Sequence, residues 1–162
     1  MAPRMASRAL LTDPAGRVLL IRIHDEVPLS ASDPVTEYWI TVGGGLEAGE
    51  SFEDAVLREI FEETGHRVAA AGPCIWRRRK TLVNARGEGF SSDEKFFWCP
   101  LASSELSVEN LTDLERKVIR EFRWWDLADP ELALVRIFPD SFVKAAREVL
   151  EKGPPADPIW LG

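Results

Sequence analysis

Residues 43–66 read GGGLEAGESFEDAVLREIFEETGH, and the fold turns on this stretch. From Ser51 to Glu63 there is neither proline nor glycine, and the spacing predicts a helix. Ser51 is placed to cap its N-terminus with Asp54 three residues on, an acidic variant of the capping box. Gly65 sits where a C-cap glycine is favoured. On a helical wheel Phe52, Ala55, Val56 and Ile60 form one apolar stripe. Glu59, Glu62 and Glu63 fall on that same stripe, within roughly 60° of its centre. The helix therefore turns apolar side chains inward over its first two turns and carboxylates inward over its last.

A solvated acidic helix end is the plain alternative, and two costs weigh against it. Carboxylates at a helix C-terminus oppose the macrodipole, and they repel one another at i,i+3 and i,i+4 spacing. Arg58 offsets one charge, not three. A divalent cation held by oxygen ligands resolves the conflict. Upstream, Gly43, Gly44 and Gly45 allow close approach of backbone to a ligand, and a backbone carbonyl there could complete a metal's shell.

Working outward, Ala9–Asp13 and Arg17–Ile23 are apolar runs joined by Asp13-Pro14-Ala15-Gly16, which predicts a β-hairpin. His24–Glu37 reads as a loop, and Tyr38–Val42 as a strand entering the glycines. Strand-like runs follow at Cys74–Trp76 and Lys95–Cys99, with a turn-rich segment at Asn84–Gly89 between them. Leu114–Arg120 reads as a short helix, Phe122–Trp125 as a strand and Phe142–Leu150 as an amphipathic helix. The tail, about 153–162, with Pro154, Pro155 and Pro158, is expected to be irregular. No linker or repeat interrupts residues 1–162, so a single mixed α/β domain is expected.

The composition is that of a folded chain: 162 residues, 45% hydrophobic and 29% charged. A net charge of −7 argues against a duplex-DNA binder, which wants a cationic face. It does not exclude a polyanion bound through divalent cations. Cys74 and Cys99 make neither a disulfide framework nor a zinc pattern and are expected to be buried free thiols. The N-terminus lacks a signal-peptide pattern, and no run approaches the ~18 apolar residues of a membrane span. A cytoplasmic protein is expected.

The stretch beginning at Gly44 resembles the Nudix box, G-x5-E-x7-R-E-U-x-E-E-x-G-U, where U is a bulky apolar residue. Gly44 opens it, Glu50 follows, and then Arg58-Glu59-Ile60-Phe61-Glu62-Glu63-Thr64-Gly65. The single departure is His66 at the last U position. The resemblance implies an α/β/α sandwich around a mixed β-sheet. It implies a hydrolase of acid anhydrides in phosphorus compounds, acting on a small nucleotide or nucleotide-sugar-like diphosphate. Mg²⁺, with Mn²⁺ able to substitute, would activate the water that attacks phosphorus.

Carried over by position, Glu59 and Glu63 would be the main Mg²⁺ ligands, Glu62 a further ligand or the base, and the Gly43 carbonyl another ligand. Arg58 and Glu50 would pair and hold loop and helix in register, with Glu47 an outer contact. A homodimer is compatible with this reading.

Outside the box, Glu94, Glu115 and Glu121 are candidates for an additional ligand or acid/base. Trp124 and Trp125 are candidate base-stacking residues, with core packing as the competing role. Alternation along a strand would send half of Arg77-Arg78-Arg79-Lys80 to one face, where Arg77 and Arg79 are the candidates to meet phosphate. A Nudix-fold binding module that has lost its chemistry would lack box glutamates, and all of them stand here. An isomerase on the same scaffold would want an added nucleophile or acid, for which Cys74 and Cys99 have no partner pattern.

Overall fold

The hairpin at Asp13 forms and then opens. Asp13 Oδ1 accepts from the backbone N–H of Ala15 at 3.0 Å and of Arg17 at 2.9 Å, fixing the turn between β1 (Arg4–Thr12) and β2 (Val18–His24). The two strands are registered only at Thr12 and Val18 and then take different partners. In this computed structural model, which describes residues 2–28 and 32–162, β2 pairs antiparallel with β3 (Glu37–Ile40) and β7 (Ile119–Trp125). Meanwhile β1 pairs antiparallel with β4 (Val42–Gly45) and parallel with β6 (Gly89–Pro100). The expected strand through Tyr38–Val42 is thus two strands, broken at Thr41, that change partner as the chain enters the glycines.

β6 continues antiparallel to β5 (Cys74–Val83), which pairs parallel with β8 (Ile159–Leu161). β8 corrects the expectation for the tail. Residues 153–158 are irregular, but the three residues after Pro158 add an edge strand. Trp160 lies against the guanidinium groups of Arg77 and Arg79, at 4.6 and 5.1 Å from its ring centroid. The loop expected over His24–Glu37 includes residues 29–31, which lie outside the described residues.

The mixed sheet carries helices on both faces. On one, α1 (Phe52–Thr64) packs Val56 and Ile60 on Leu11, Leu19, Ile21, Phe97 and Cys99. On the other, α3 (Phe142–Lys152) packs Phe142, Ala146 and Val149 on Leu10, Leu20, Trp39, Trp76, Phe96 and Trp125. The result is the α/β/α sandwich with a mixed sheet. Cys99 is buried but Cys74 only partly so, and both are free thiols. Between β6 and β7 stands α2 (Asp113–Val118), none of whose residues is buried. No described helix is long and apolar enough to cross a membrane.

Candidate active site

α1 starts and stops as its sequence dictates. Ser51 Oγ accepts from Asp54 N–H at 3.0 Å, and Gly65 closes the helix with φ 81° and an N–H bond to the Phe61 carbonyl. These limits set the phase of the last turn, and Glu59 and Glu63 are buried, at 7% and 3% exposure. The inward acidic stripe read from the wheel is present.

The glycine strand β4 runs beside that turn. Gly43 N–H donates to Glu63 Oε1 at 3.0 Å. At Gly43, φ is 153° and a Cβ would come within 2.3 Å of the Ser7 carbonyl, so only glycine fits between β1 and the helix. At Gly44 a Cβ would stand 2.4 Å from Glu59 Oε1. The Glu59 carboxylate occupies the space that a side chain there would fill.

Arg58 ties the loop to the helix. Its Nε and Nη2 donate to the two oxygens of Glu50 at 2.7 and 2.9 Å, and Nη2 also donates to the Gly45 carbonyl at 3.0 Å. Nη1 reaches Glu59 at 2.9 Å and Glu62 at 3.3 Å. Glu47, exposed, lies 3.7 Å from Arg58 Nε. The Arg58 hydrogen bonds hold the Glu50 carboxyl below the usual carboxylate range. For Glu62 the opposite holds: burial, then the charge of Glu59, pushes it up. Glu63 is pushed well up by burial, then by Glu59 and Glu115. One guanidinium does not neutralise this many carboxylates.

Of the three glutamates outside the box, the fold brings in one. Oxygens of Glu59, Glu62 and Glu115 lie within 4.8 Å of one another. Glu115 is delivered by α2, whose N-cap Thr112 it also serves: Glu115 Oε1 accepts from Thr112 N–H at 2.9 Å and its own N–H donates to Thr112 Oγ1. The capping box turns that carboxylate back toward α1. The oxygen set and its charge suit a divalent cation.

Glu94 and Glu121 are not brought to this cluster. Glu121 is exposed and paired with Arg22 at 3.2 Å. Glu94 is buried among cations, bonded to Arg8 at 3.1 Å and Arg78 at 3.3 Å. Its burial works to raise its pKa, but Arg8, Lys80 and Arg78 outweigh that and hold it below the usual range.

The aromatic and basic candidates need correction. Trp125 is 1% exposed and stacks edge-on to Trp39 at 5.2 Å; it is a core residue and has no free face for a base. Trp124 lies on the α1 side, its Nε1 donating to the Ser104 carbonyl at 3.0 Å. Arg77 and Arg79 pair with Asp93 at 3.5 and 3.4 Å. The other half of that run, Arg78 and Lys80, lines a small cavity with Arg8, Thr41, Glu94 and Phe138. An irregularity in the pairing between Cys74 and Trp76 sets which half faces it. Arg4 and Arg8 were missed because the strand was read as starting at Ala9; their i,i+4 spacing, continued back along β1, places them on one face.

The NUDIX domain family model matches residues 2–151. The chain is 33% identical over 75 residues to nucleoside triphosphatase NudI of Escherichia coli O139:H28 (strain E24377A / ETEC), taking in 43% of this chain and 53% of that protein. It thus spans about half the length of the curated relatives it matches. Its fold is similar to the E. coli ORF135 protein, with TM-score 0.65 at 18% identity, covering 97% of this chain and 96% of that one. It is also similar to the NUDIX domain of Shewanella oneidensis NrtR, solved with ADP ribose, with TM-score 0.63 at 20% identity, covering 93% and 90%. With every fixed glutamate of the box in place and the family model matching residues 2–151, the chain belongs to the NUDIX domain family.

Proposed function

We propose that this protein is a metal-dependent hydrolase that cleaves a diphosphate linkage in a small nucleoside diphosphate derivative, by attack of water on phosphorus. The observation that carries the reading is the convergence of Glu59, Glu62 and Glu115 within 4.8 Å, beside the buried Glu63. Such a set is stable as carboxylates only with a cation among them. Glu59, Glu62 and Glu115 would hold Mg²⁺, or Mn²⁺ in its place, with Glu63 and the Gly43 carbonyl as the further ligands that the box implies. A divalent cation bound there supplies neutralisation of diphosphate charge and acidification of water.

The chain's own residues do the rest. Arg58 holds Glu59 and Glu62 in place from Glu50 and the Gly45 carbonyl. Glu62, the less buried of the helix carboxylates and raised in pKa, is positioned to take the proton from the attacking water. Glu115, on α2, adds a carboxylate to the cluster from outside the box. The substrate is a small molecule and not duplex DNA, and residues 1–162 make one domain, cytoplasmic and compatible with a homodimer.

The test is a panel of nucleoside triphosphates, nucleotide sugars and ADP-ribose with Mg²⁺ or Mn²⁺, with product identification in ¹⁸O-water. Label should enter one phosphate product, and Glu59→Gln and Glu63→Gln should each lose on the order of 10³-fold in kcat. Turnover at near wild-type kcat in either variant would overturn the assignment. A second check is thermal: millimolar Mg²⁺ should raise the melting temperature beyond matched NaCl, and Glu59→Gln should remove that rise.

A further inference from the structure

The segment that delivers the third carboxylate has no core of its own. α2 is six residues long and none of them is buried, so packing does not fix where Glu115 stands. A segment with so few apolar contacts opens easily, and its place is set by what holds the chain on either side. Downstream, α2 runs directly into β7, which pairs with β2. Upstream, residues 101–112 form neither helix nor strand, and such a loop is held by its hydrogen bonds.

Two of those bonds run to the end of α1. Ser107 N–H donates to the Thr64 carbonyl at 2.8 Å. Gly65 lets the loop come this close, since a Cβ there would stand 2.8 Å from Ser107 Cβ. Two residues earlier, the His66 ring meets the Glu105 carbonyl through Nε2. A carbonyl only accepts, so Nε2 carries the proton and donates. The backbone of His66 is itself fixed: its N–H donates to Thr64 Oγ1 at 3.2 Å, and that hydroxyl donates to the Ile60 carbonyl at 2.6 Å. Trp124 Nε1, on β7, holds the Ser104 carbonyl and ties the loop to the sheet, whereas His66 and Ser107 tie it to α1.

Beyond Ser107, Arg116 closes the circuit. Its Nη2 donates to the carbonyls of Val108 and Glu109 at 3.0 and 3.1 Å, which draws α2 onto the segment next to the pinned residues. Beside Arg116 in the chain is Glu115, with a carboxylate oxygen within 4.8 Å of those of Glu59 and Glu62. The third carboxylate is thus returned to the helix that bears the other two, through bonds that start at that helix's own C-terminus. His66 stands where the box has a bulky apolar residue, which can pack there but cannot donate.

We propose that His66 is a positioning residue: by pinning Glu105 to the end of α1 it holds Glu115 against Glu59 and Glu62, and so sets how tightly the carboxylate cluster binds a divalent cation. The proposal rests on the metal-dependent reading above, and its test needs no turnover. Metal-free protein is titrated with Mn²⁺, and the free ion is followed by electron paramagnetic resonance with no substrate present. His66→Leu, which keeps the bulk that the box expects, should weaken Mn²⁺ binding about tenfold, the low end for groups that orient metal ligands. His66→Gln, whose amide can donate to the same carbonyl, should recover most of that loss. In a Glu115→Gln background, His66→Leu should change nothing further. Hydrogen exchange without metal gives a second measurement: amides of residues 107–116 should exchange faster in His66→Leu than in wild type.

Wild-type Mn²⁺ affinity in His66→Leu overturns the proposal, as does unchanged exchange over residues 107–116. An equal loss in both backgrounds, or no recovery in His66→Gln, also overturns it, because the effect would then be one of packing and not of Glu115. The two readings fail separately. The expected Mn²⁺ pattern with no turnover of any nucleotide overturns the hydrolase reading and leaves the pin standing. Mn²⁺-dependent turnover in wild type, with Mn²⁺ affinity unaltered by His66→Leu, overturns the pin and leaves the hydrolase reading.

Discussion

Gly44 and Glu59 share one volume: the carboxylate oxygen of Glu59 lies 2.4 Å from where a Cβ on Gly44 would be. The glycine therefore acts on the site by having no side chain, and its replacement separates position of the acid from stability of the fold. In Gly44→Ala the obstacle is the end of a flexible side chain and not backbone, so the cost in stability should stay under about 1 kcal/mol. Glu59 must swing away, and kcat should fall on the order of tenfold or more. Urea unfolding beside kinetics checks this; a fully active Gly44→Ala would place Glu59 outside the chemistry.

Arg58 is bonded to Glu50, Glu59, Glu62 and the Gly45 carbonyl. Arg58→Ala leaves partly buried carboxylates with no counter-charge and should cost about 2–3 kcal/mol. Arg58→Lys should recover little, because an ammonium cannot reproduce the paired N–H bonds to Glu50. Unfolding measured with and without millimolar Mg²⁺ decides the cause. If repulsion among the glutamates dominates, Mg²⁺ restores a large part of the loss in Arg58→Ala; no recovery would mean that the lost loop contacts dominate.

Trp125→Ala removes a core side chain packed on Trp39 and should lower stability by about 3–5 kcal/mol. The ranking of nucleotide substrates should not change. Melting temperature and kinetics on two nucleotides with different bases provide the check, and a changed ranking at unchanged stability would return Trp125 to the site.

Lys80 makes stability depend on pH in a stated direction. Its folded-state pKa, about 8, lies below the ordinary lysine value of ~10.4, a gap worth on the order of 3 kcal/mol against the charged form. Below pH 8 both folded and unfolded chains carry the charge, and the full cost is present. Between about 8 and 10.4 the unfolded chain binds more protons, so the wild-type protein gains stability as pH rises. The charges that act on Lys80 are those of Glu94, which favours its protonated form, and of Arg78, Arg8 and Arg4, which oppose it. Lys80→Met should thus be more stable than wild type at pH 7 without ligand, with the difference shrinking toward pH 10. A constant difference across that range would assign it to packing.

The helix, its caps and the inward turn of Glu59, Glu62 and Glu63 were legible in the sequence, because each follows from the 3.6-residue period and from contacts three or four residues apart. The hairpin turn at Asp13 was legible for a similar reason, its hydrogen bonds spanning two and four residues. What happens beyond that turn was not. β1 and β2 part at once, and their new partners lie far along the chain.

Tertiary structure alone chose Glu115 over Glu94 and Glu121, since that choice depends on where α2 docks and on the capping box that turns its glutamate inward. It put Trp125 in the core and gave the tail a strand. It also turned Arg78 and Lys80, and not Arg77 and Arg79, to the cavity through a local irregularity in strand pairing. The alignment of Arg4, Ser92 and Lys80 across β1, β6 and β5 belongs to the same class. Its members meet through parallel pairing of β1 with β6, at separations like the 86 residues between Arg8 and Glu94. Local periodicity says which residues share a face of one strand, but only the register between distant strands says which of them stand side by side.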